Sequence, residues 1–484
     1  MVTTSREPPS SRLYDEPAAF LIDYPEYAGT RVLDDLRASE YAYLDEQDHV
    51  YLDYTGAGLA AISQWRTHVN RLRGNVFGNP HSVNPSSRAS TELVESARAR
   101  VLRHFNAAPD DYVVIFTANA TAAARMVGEA YPFSRKRRLL LTFDNHSSIV
   151  GLREFARRRH ARTEYIASVP PELRVPRESV RMALARGQGL FAYPAQSNFT
   201  GVQHSLDWVG MAQDQGYDVL LDCAAFLPTN VLDLSVVRPQ FVIASWYKVF
   251  GYPTGVGVLV ARRDALAELQ RPWFAGGTIR AASVQGDWHT MAPAETAFED
   301  GTVNFLAIPD VEAGLDWVAG IGVPNIGRRV RCLTGWFLDQ ATSLRHTNGE
   351  PMVRLYGPGS THARGGTIAF NLLTPDGDLV DERLVATESA QAGISLRTGC
   401  FCNPGAGENA FGLDPRLLRE LGDSPAMTAD DYIRFLGMPT AGAIRVSLGL
   451  ASNVHDVDRF LAFVERTYRD RKPDTSKLPP RDWC

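Results

Sequence analysis

The sequence predicts an α/β fold, with a large helix-covered sheet followed by a smaller domain, and three observations carry that prediction. Short apolar runs alternate with helical stretches through the first part of the chain. The segments just after these runs carry residues able to do chemistry, as expected where ligands gather at the carboxyl ends of strands. The 484 residues exceed what one hydrophobic core usually organises, so two domains are expected.

In chain order, residues 1–12 are polar, carry two prolines and lack an apolar segment, so they read as a tail rather than a signal peptide. An arm over 1–45 leads into a large domain over 46–321. There Val94, Ala97, Val101 and Phe105 recur at helical spacing, which predicts an amphipathic helix over 90–105. Apolar runs follow at 113–116, 139–142, 190–193, 219–221, 241–244 and 256–261, the rhythm of a sheet with helices on both faces. After five of them come Thr117-Ala118-Asn119-Ala120-Thr121, Asp144-Asn145-His146, Gln196-Ser197-Asn198, Asp222 and Ser245-Trp246-Tyr247-Lys248. A smaller domain spans 322–470, closing with an apolar strand at 443–448 and a helix at 457–468, and a charged, proline-bearing tail occupies 471–484.

Lys and Arg number 50 against 55 Asp and Glu, so bulk charge recommends neither nucleic acid nor an anionic membrane as a partner. The basic runs Arg135-Lys136-Arg137-Arg138 and Arg157-Arg158-Arg159 abut apolar or helical segments and read as solvated surface. No run approaches about 18 apolar residues, which argues against a membrane span. Five cysteines, Cys223, Cys332, Cys400, Cys402 and Cys484, are few and odd in number, so the expectation is a reducing, cytoplasmic setting without a disulfide framework. Cys400 and Cys402 lack a second Cys or His pair, so no metal site is expected.

Asp222 and Lys248 each follow an apolar strand and are 26 residues apart, the distance a helical crossover needs to return to a neighbouring strand. Both are expected to face one cleft. A buried carboxylate beside a pyridine nitrogen keeps that nitrogen protonated, and a lysine amine condenses with an aldehyde and later carries the Cα proton. Together they are the requirements of pyridoxal-phosphate catalysis. Taken singly, each also has an ordinary reading, as a turn Asp and a surface Lys.

The segment Ser245-Trp246-Tyr247-Lys248-Val249-Phe250-Gly251-Tyr252-Pro253-Thr254-Gly255 closely resembles the lysine segment of class V aminotransferase-fold enzymes. Similar words occur at Tyr51-Leu52-Asp53-Tyr54-Thr55-Gly56-Ala57, Phe116-Thr117-Ala118-Asn119-Ala120-Thr121, Asp144-Asn145-His146-Ser147-Ser148 and Arg397-Thr398-Gly399-Cys400-Phe401-Cys402-Asn403-Pro404-Gly405. More narrowly, the chain resembles the amino-terminal domain of molybdenum cofactor sulfurases, relatives of cysteine desulfurases. The resemblance implies the pyridoxal-phosphate transferase fold of type I. That fold has a large domain on a mixed, mostly parallel sheet, a smaller α+β carboxy-terminal domain, and pyridoxal 5′-phosphate as cofactor.

On matching residues, the resemblance places the cofactor on Lys248 and pairs its ring nitrogen with Asp222. Ala120 and Thr121, at a helix start, would contact the phosphate, as would Ser245 and Tyr247. Thr278 would do so from a partner subunit, which implies a homodimer. His146 would stack on the ring, with Asn145 as the alternative if the alignment slips by one. Asn198 would lie near the phenolic oxygen and the substrate carboxylate. Arg445 interrupts an apolar run, where a charge is costly unless paired; a substrate carboxylate is its expected partner and an internal salt bridge the alternative. Arg397 would be a secondary carboxylate or loop-anchoring residue.

Cys402 matches the desulfurase nucleophile, with Cys400 the weaker candidate, and the bland reading is two small thiols in a glycine-rich loop. Ala225 stands where many desulfurases place a glutamine. As written, the sequence ends at Cys484 without the additional domain of a eukaryotic-type sulfurase, and the body is expected to stand alone. The leading expectation is desulfuration of cysteine to alanine, with an enzyme persulfide passed to a sulfur acceptor. The alternative is a C–S lyase or decarboxylating deaminase acting on a cysteine S-conjugate. Transamination, epimerisation and a non-catalytic sulfur relay are more distant.

Overall fold

Fifteen strands are formed by the described residues of the computed structural model, which are 16–421, 428–438, 440, 442–475, 478 and 480–481. The start at 1–12, part of the tail and Cys484 lie outside them. A short strand, β1 (Val50–Tyr51), is followed by the seven that build the main sheet: β2 (Tyr112–Thr117), β3 (Arg137–Thr142), β4 (Thr163–Ile166), β5 (Gln188–Pro194), β6 (Tyr217–Asp222), β7 (Phe241–Ser245) and β8 (Gly257–Arg262). Their order is β2-β8-β7-β6-β5-β3-β4, parallel except that β8 runs antiparallel to both neighbours. The sheet is therefore mixed and mostly parallel.

Six of these strands cover the six apolar runs, and their continuous burial follows from having both faces covered. The seventh, β4, reads Thr-Glu-Tyr-Ile, lies at the sheet edge and is only partly buried, so no apolar run announces it. The amphipathic helix begins earlier than expected, at Pro85–His104, because Asn84 caps it by accepting from the Ser87 N–H and Pro85 suits its first turn. Between β6 and β7 the described chain contains no helix, contrary to the expected crossover. Buried turns carrying Phe226, Leu227, Leu232 and Leu234 fill that volume instead.

The hairpin of β9 (Ile279–Ser283) and β10 (Trp288–Met291) projects from the body with Trp288 and Val284 exposed. The second region contains β11 (Val353–Tyr356), β12 (Thr367–Leu372), β13 (Ile394–Ser395), β14 (Arg397–Gly399) and β15 (Ala443–Ser447). Four of these form an antiparallel sheet in the order β11-β12-β15-β14. The helices Val323–Ser343 and Val454–Tyr468 meet its apolar face through Phe337, Phe370 and Phe460.

The chain's beginning is stitched onto this second region. β1 pairs in parallel with β13, and Asp53 bridges to Ser447. These contacts set residues 50–53 on the second region, although the sequence boundary at 46 assigns them to the large one. Arg329 is almost completely buried, donates to Asp34 and Thr30, and lies 4.1 Å from the centre of the Tyr27 ring. Asp34 is one-third exposed, so water compensates it in part, and the loss of its hydrogen bonds to Arg329 costs about 1.5–3 kcal/mol. Arg329→Met, which leaves Asp34 without its partner, is expected to lower the thermal unfolding temperature and to speed proteolysis within residues 16–45. Melting and cleavage rates matching the wild type would show that this pair does not hold the segment.

Candidate active site

The carboxyl ends of β2, β5, β6 and β7 converge on a cavity of about 440 Å³, within the size range of small-ligand sites. Its lining includes Lys248, Asp222, His146, Asn198, Ser245 and Tyr247. Asp222 is the last residue of β6, with Oδ1 accepting from the Ala224 N–H at 2.9 Å. Lys248 lies in a one-turn helix, Trp246–Phe250, that starts where β7 stops. That turn is anchored by Trp246, which is fully buried and stacks on Phe250.

Burial sets the protonation of these groups. It lowers the pKa of Lys248 from 10.5, while the charge of Asp222 opposes the shift. Asp222 is pushed up by the same desolvation, against the Ala224 N–H and Lys248. His146 is lowered to about 4 by burial and then by the charges of Lys248 and Arg445. It is therefore neutral near pH 7, and its Nδ1 accepts from the Ser148 N–H at 3.1 Å.

Other expected residues sit close by, with altered partners. Ala120 and Thr121 begin the helix Ala120–Ala130 at the cavity. The Ala120 N–H donates to Ser245 Oγ at 2.8 Å, and the Thr121 and Ser148 hydroxyls share a hydrogen bond. Asn145 is fully buried and donates to the Thr142 and Ala192 carbonyls, so His146 rather than Asn145 reaches the cavity. Ala225 lines it too. Thr278 is outside that lining; its buried hydroxyl accepts from the Ala275 N–H and donates to the Ala275 carbonyl.

For Arg445 the internal partner left open by the sequence is present. In β15 it is 3% exposed, and its partner is internal: one terminal nitrogen donates to Asp53 at 2.9 Å and the other to the Asn198 carbonyl at 3.1 Å. Its Nε is buried with no hydrogen-bond partner. Arg397 stands opposite Arg445 across the β14–β15 pair and also grips Asp53. Cys402 is exposed beside the cavity, on a loop whose carbonyls are taken by Asn198 and Ser147. Cys400 is half-buried in the same loop.

Sequence reasoning missed Asp53, Asn403, Ser147 and Gln196 as site residues. Asp53 had a local signal, an acidic residue between apolar Leu52 and glycine-bearing Thr55-Gly56, but its two arginine partners are remote in sequence. Asn403 and Ser147 read as ordinary loop and helix-start residues. Among the described residues no cluster of His, Cys, Asp or Glu is placed to hold a metal ion, and no helix is long and apolar enough to cross a membrane.

The donor set of the cavity fits pyridoxal phosphate. At one end are a helix amino terminus and hydroxyls suited to an anion. Elsewhere in the same lining are an amine for an aldehyde, a carboxylate for a protonated ring nitrogen, and a neutral imidazole for the ring face.

Comparison with known proteins identifies the family. The class-V aminotransferase family model matches residues 50–460, and the chain belongs to that family. Among similar proteins are molybdenum cofactor sulfurases of Solanum lycopersicum, 34% identical over 96% of this chain and 61% of that protein, and of Bos taurus, 36% identical over 91% and 52%. The chain thus spans little more than half the length of these relatives. In fold it is similar to the apo cysteine desulfurase of Thermococcus onnurineus NA1, with a TM-score of 0.74, 22% identity, and coverage of 90% of this chain and 98% of that one. A cysteine desulfurase of Escherichia coli gives 0.69 at 22% identity, with the same coverage.

Two expectations follow. Capture of pyridoxal phosphate by the apo protein, followed by absorbance, should have its pH midpoint below 10.5, because burial favours the neutral amine. Asp222→Asn should lower the midpoint further, since the charge that supports the ammonium is gone; a midpoint that stays or rises contradicts this. Asp53→Asn should cost about 3–5 kcal/mol in chemical denaturation by leaving Arg445 without its carboxylate, and an unchanged midpoint would show the triad to be inert.

Proposed function

We propose that the chain is a pyridoxal-phosphate-dependent enzyme that acts at the carbon–sulfur bond of cysteine, taking sulfur onto Cys402 and leaving alanine. The observation that carries this reading is the meeting of Lys248 and Asp222 in one cavity with an exposed thiol on the loop packed against it. The similarity to molybdenum cofactor sulfurases supports it.

When bound, the cofactor withdraws electrons from the substrate carbon attached to nitrogen. Lys248 would hold the cofactor, and its Nζ would move the Cα proton of the substrate. Asp222 would keep a bound ring nitrogen positive, and neutral His146 would face the ring without adding charge. Arg445, whose guanidinium is held by Asp53, would receive the substrate carboxylate through its unpartnered Nε. Ala120, Thr121, Ser245 and Tyr247 would hold the phosphate. The Cys402 thiolate then forms an S–S bond as the substrate Cβ–S bond breaks. The electron pair of that bond goes to Cβ, which takes up the proton given up when the Cys402 thiol became a thiolate, giving alanine and a persulfide whose outer sulfur passes to a nucleophilic acceptor.

The assembly in this reading is a homodimer. The β9–β10 hairpin, which follows Thr278, exposes Trp288 and Val284, with Trp273 and Phe274 also exposed nearby. Such an apolar patch suits a second copy, whose docking would bring Thr278 toward the neighbouring phosphate. None of the described cysteines forms a disulfide, which fits a reducing compartment such as the cytoplasm.

Cys402→Ser is expected to abolish alanine formation from cysteine while leaving the cofactor absorbance intact, because a hydroxyl cannot carry a persulfide. Lys248→Ala should lose both the absorbance of lysine-bound cofactor and turnover. Undiminished alanine from Cys402→Ser would overturn the persulfide role. Pyruvate from a cysteine S-conjugate, at a tenth or more of the wild-type rate (about 1.4 kcal/mol), would reassign the chain to C–S elimination.

A further inference from the structure

Phe401 and Cys402 have φ of 54° and 53°, two consecutive left-handed residues that both carry side chains. A Cβ disfavours that region, so the conformation persists only where neighbours over-determine it. Here the neighbours are explicit. Asn198 donates from Nδ2 to the Phe401 carbonyl at 2.8 Å. The Cys402 carbonyl accepts from the Ser147 N–H at 2.7 Å and from its hydroxyl at 3.0 Å.

Asn403 ties these contacts together. It is fully buried, and its Nδ2 donates to the Asp144 carbonyl at 2.7 Å and to Asn198 Oδ1 at 2.8 Å. Its N–H returns to the Cys400 carbonyl at 3.0 Å, and its Oδ1 caps the helix Pro404–Ala410 by accepting from the Ala406 N–H. Just beyond, Gly405 lies so near Phe143 that an added Cβ would meet its carbonyl oxygen at 2.0 Å. Moving the thiol outward would break the Asn198 and Asn403 bonds together and strand buried polar groups.

We propose that Asn403 is a positioning residue that, with Asn198, locks the Cys402 thiol in one place beside the cavity, so that a stationary thiol takes up sulfur and the acceptor must come to it. This deepens, and rests on, the sulfur-transfer reading of Cys402. Asn198 is the link between cavity and loop, because it lines the one and holds the other with both ends of its amide.

The test uses the cofactor-loaded protein and the variants Asn403→Ser and Asn403→Asp. Serine keeps a cap for the helix but cannot span to Asp144 and Asn198. Aspartate keeps the size and the cap but turns the donor into an oxygen facing two oxygens. Three measurements are made: hydrogen exchange of peptides covering 398–410, the rate of Cys402 alkylation by iodoacetamide relative to that of free cysteine, and kcat and KM for alanine formation. Both variants are expected to exchange at least tenfold faster in that segment and to shift the alkylation rate at least threefold. They should lose at least tenfold in kcat while KM stays within twofold and the cofactor absorbance is retained, a split that a general loss of structure would not give. Wild-type exchange and alkylation rates in both variants overturn the proposal. So does coil-like exchange of this loop in the wild type, a result that needs no variant to fold. Alanine formation surviving Cys402→Ser would remove the sulfur-transfer reading instead, and the exchange and alkylation rates would still decide whether Asn403 holds the loop.

Discussion

Buried positive charge at the end of an apolar sheet is the constraint around which this site is built. Buried Arg445 faces the half-exposed Arg397 directly across β14 and β15, a pairing of like charges that is destabilising by itself. Asp53 resolves it by accepting from both guanidiniums. The carboxylate can be there only because β1 pairs with β13 and carries residue 53 onto Ser447. The stitching of the chain's beginning to the second region and the charge balance of the site are thus one arrangement.

Inside the cavity a second carboxylate meets a second cation, with a different balance. Asp222 and Lys248 are each destabilised in their charged forms by burial and each supported by the other. That leaves the amine easier to deprotonate than a solvated lysine, as a nucleophile requires. Both groups stand on rigid elements, the end of β6 and a turn anchored by buried Trp246. The thiol, by contrast, is on a loop, and its position is secured by side-chain hydrogen bonds rather than by regular structure.

Much of this was legible in the sequence, because the legible parts are local. Continuous apolar runs mark strands buried on both faces, and the residues that follow them mark the carboxyl edge where the cavity lies. That is how Asp222, Lys248, His146 and Asn198 came to be singled out together. β4 escaped because an edge strand needs no apolar run, and the expected crossover helix between β6 and β7 failed because buried turns supply the same packing.

The sequence by itself determined the α/β class, six of the seven strands of the main sheet and the residues gathered at their ends, since these depend on periodicity and neighbouring residues. Tertiary structure alone decided which groups those residues touch. Asp53 reaches Arg445 across 392 positions, and Asn198 reaches Phe401 and Asn403 across 203 and 205. No local pattern encodes such pairings, because a charge or amide is satisfied by whatever the folded chain brings within about 3 Å. Arg445 was readable as a charge needing a partner, but only the packing of β1 beside the small sheet made that partner Asp53.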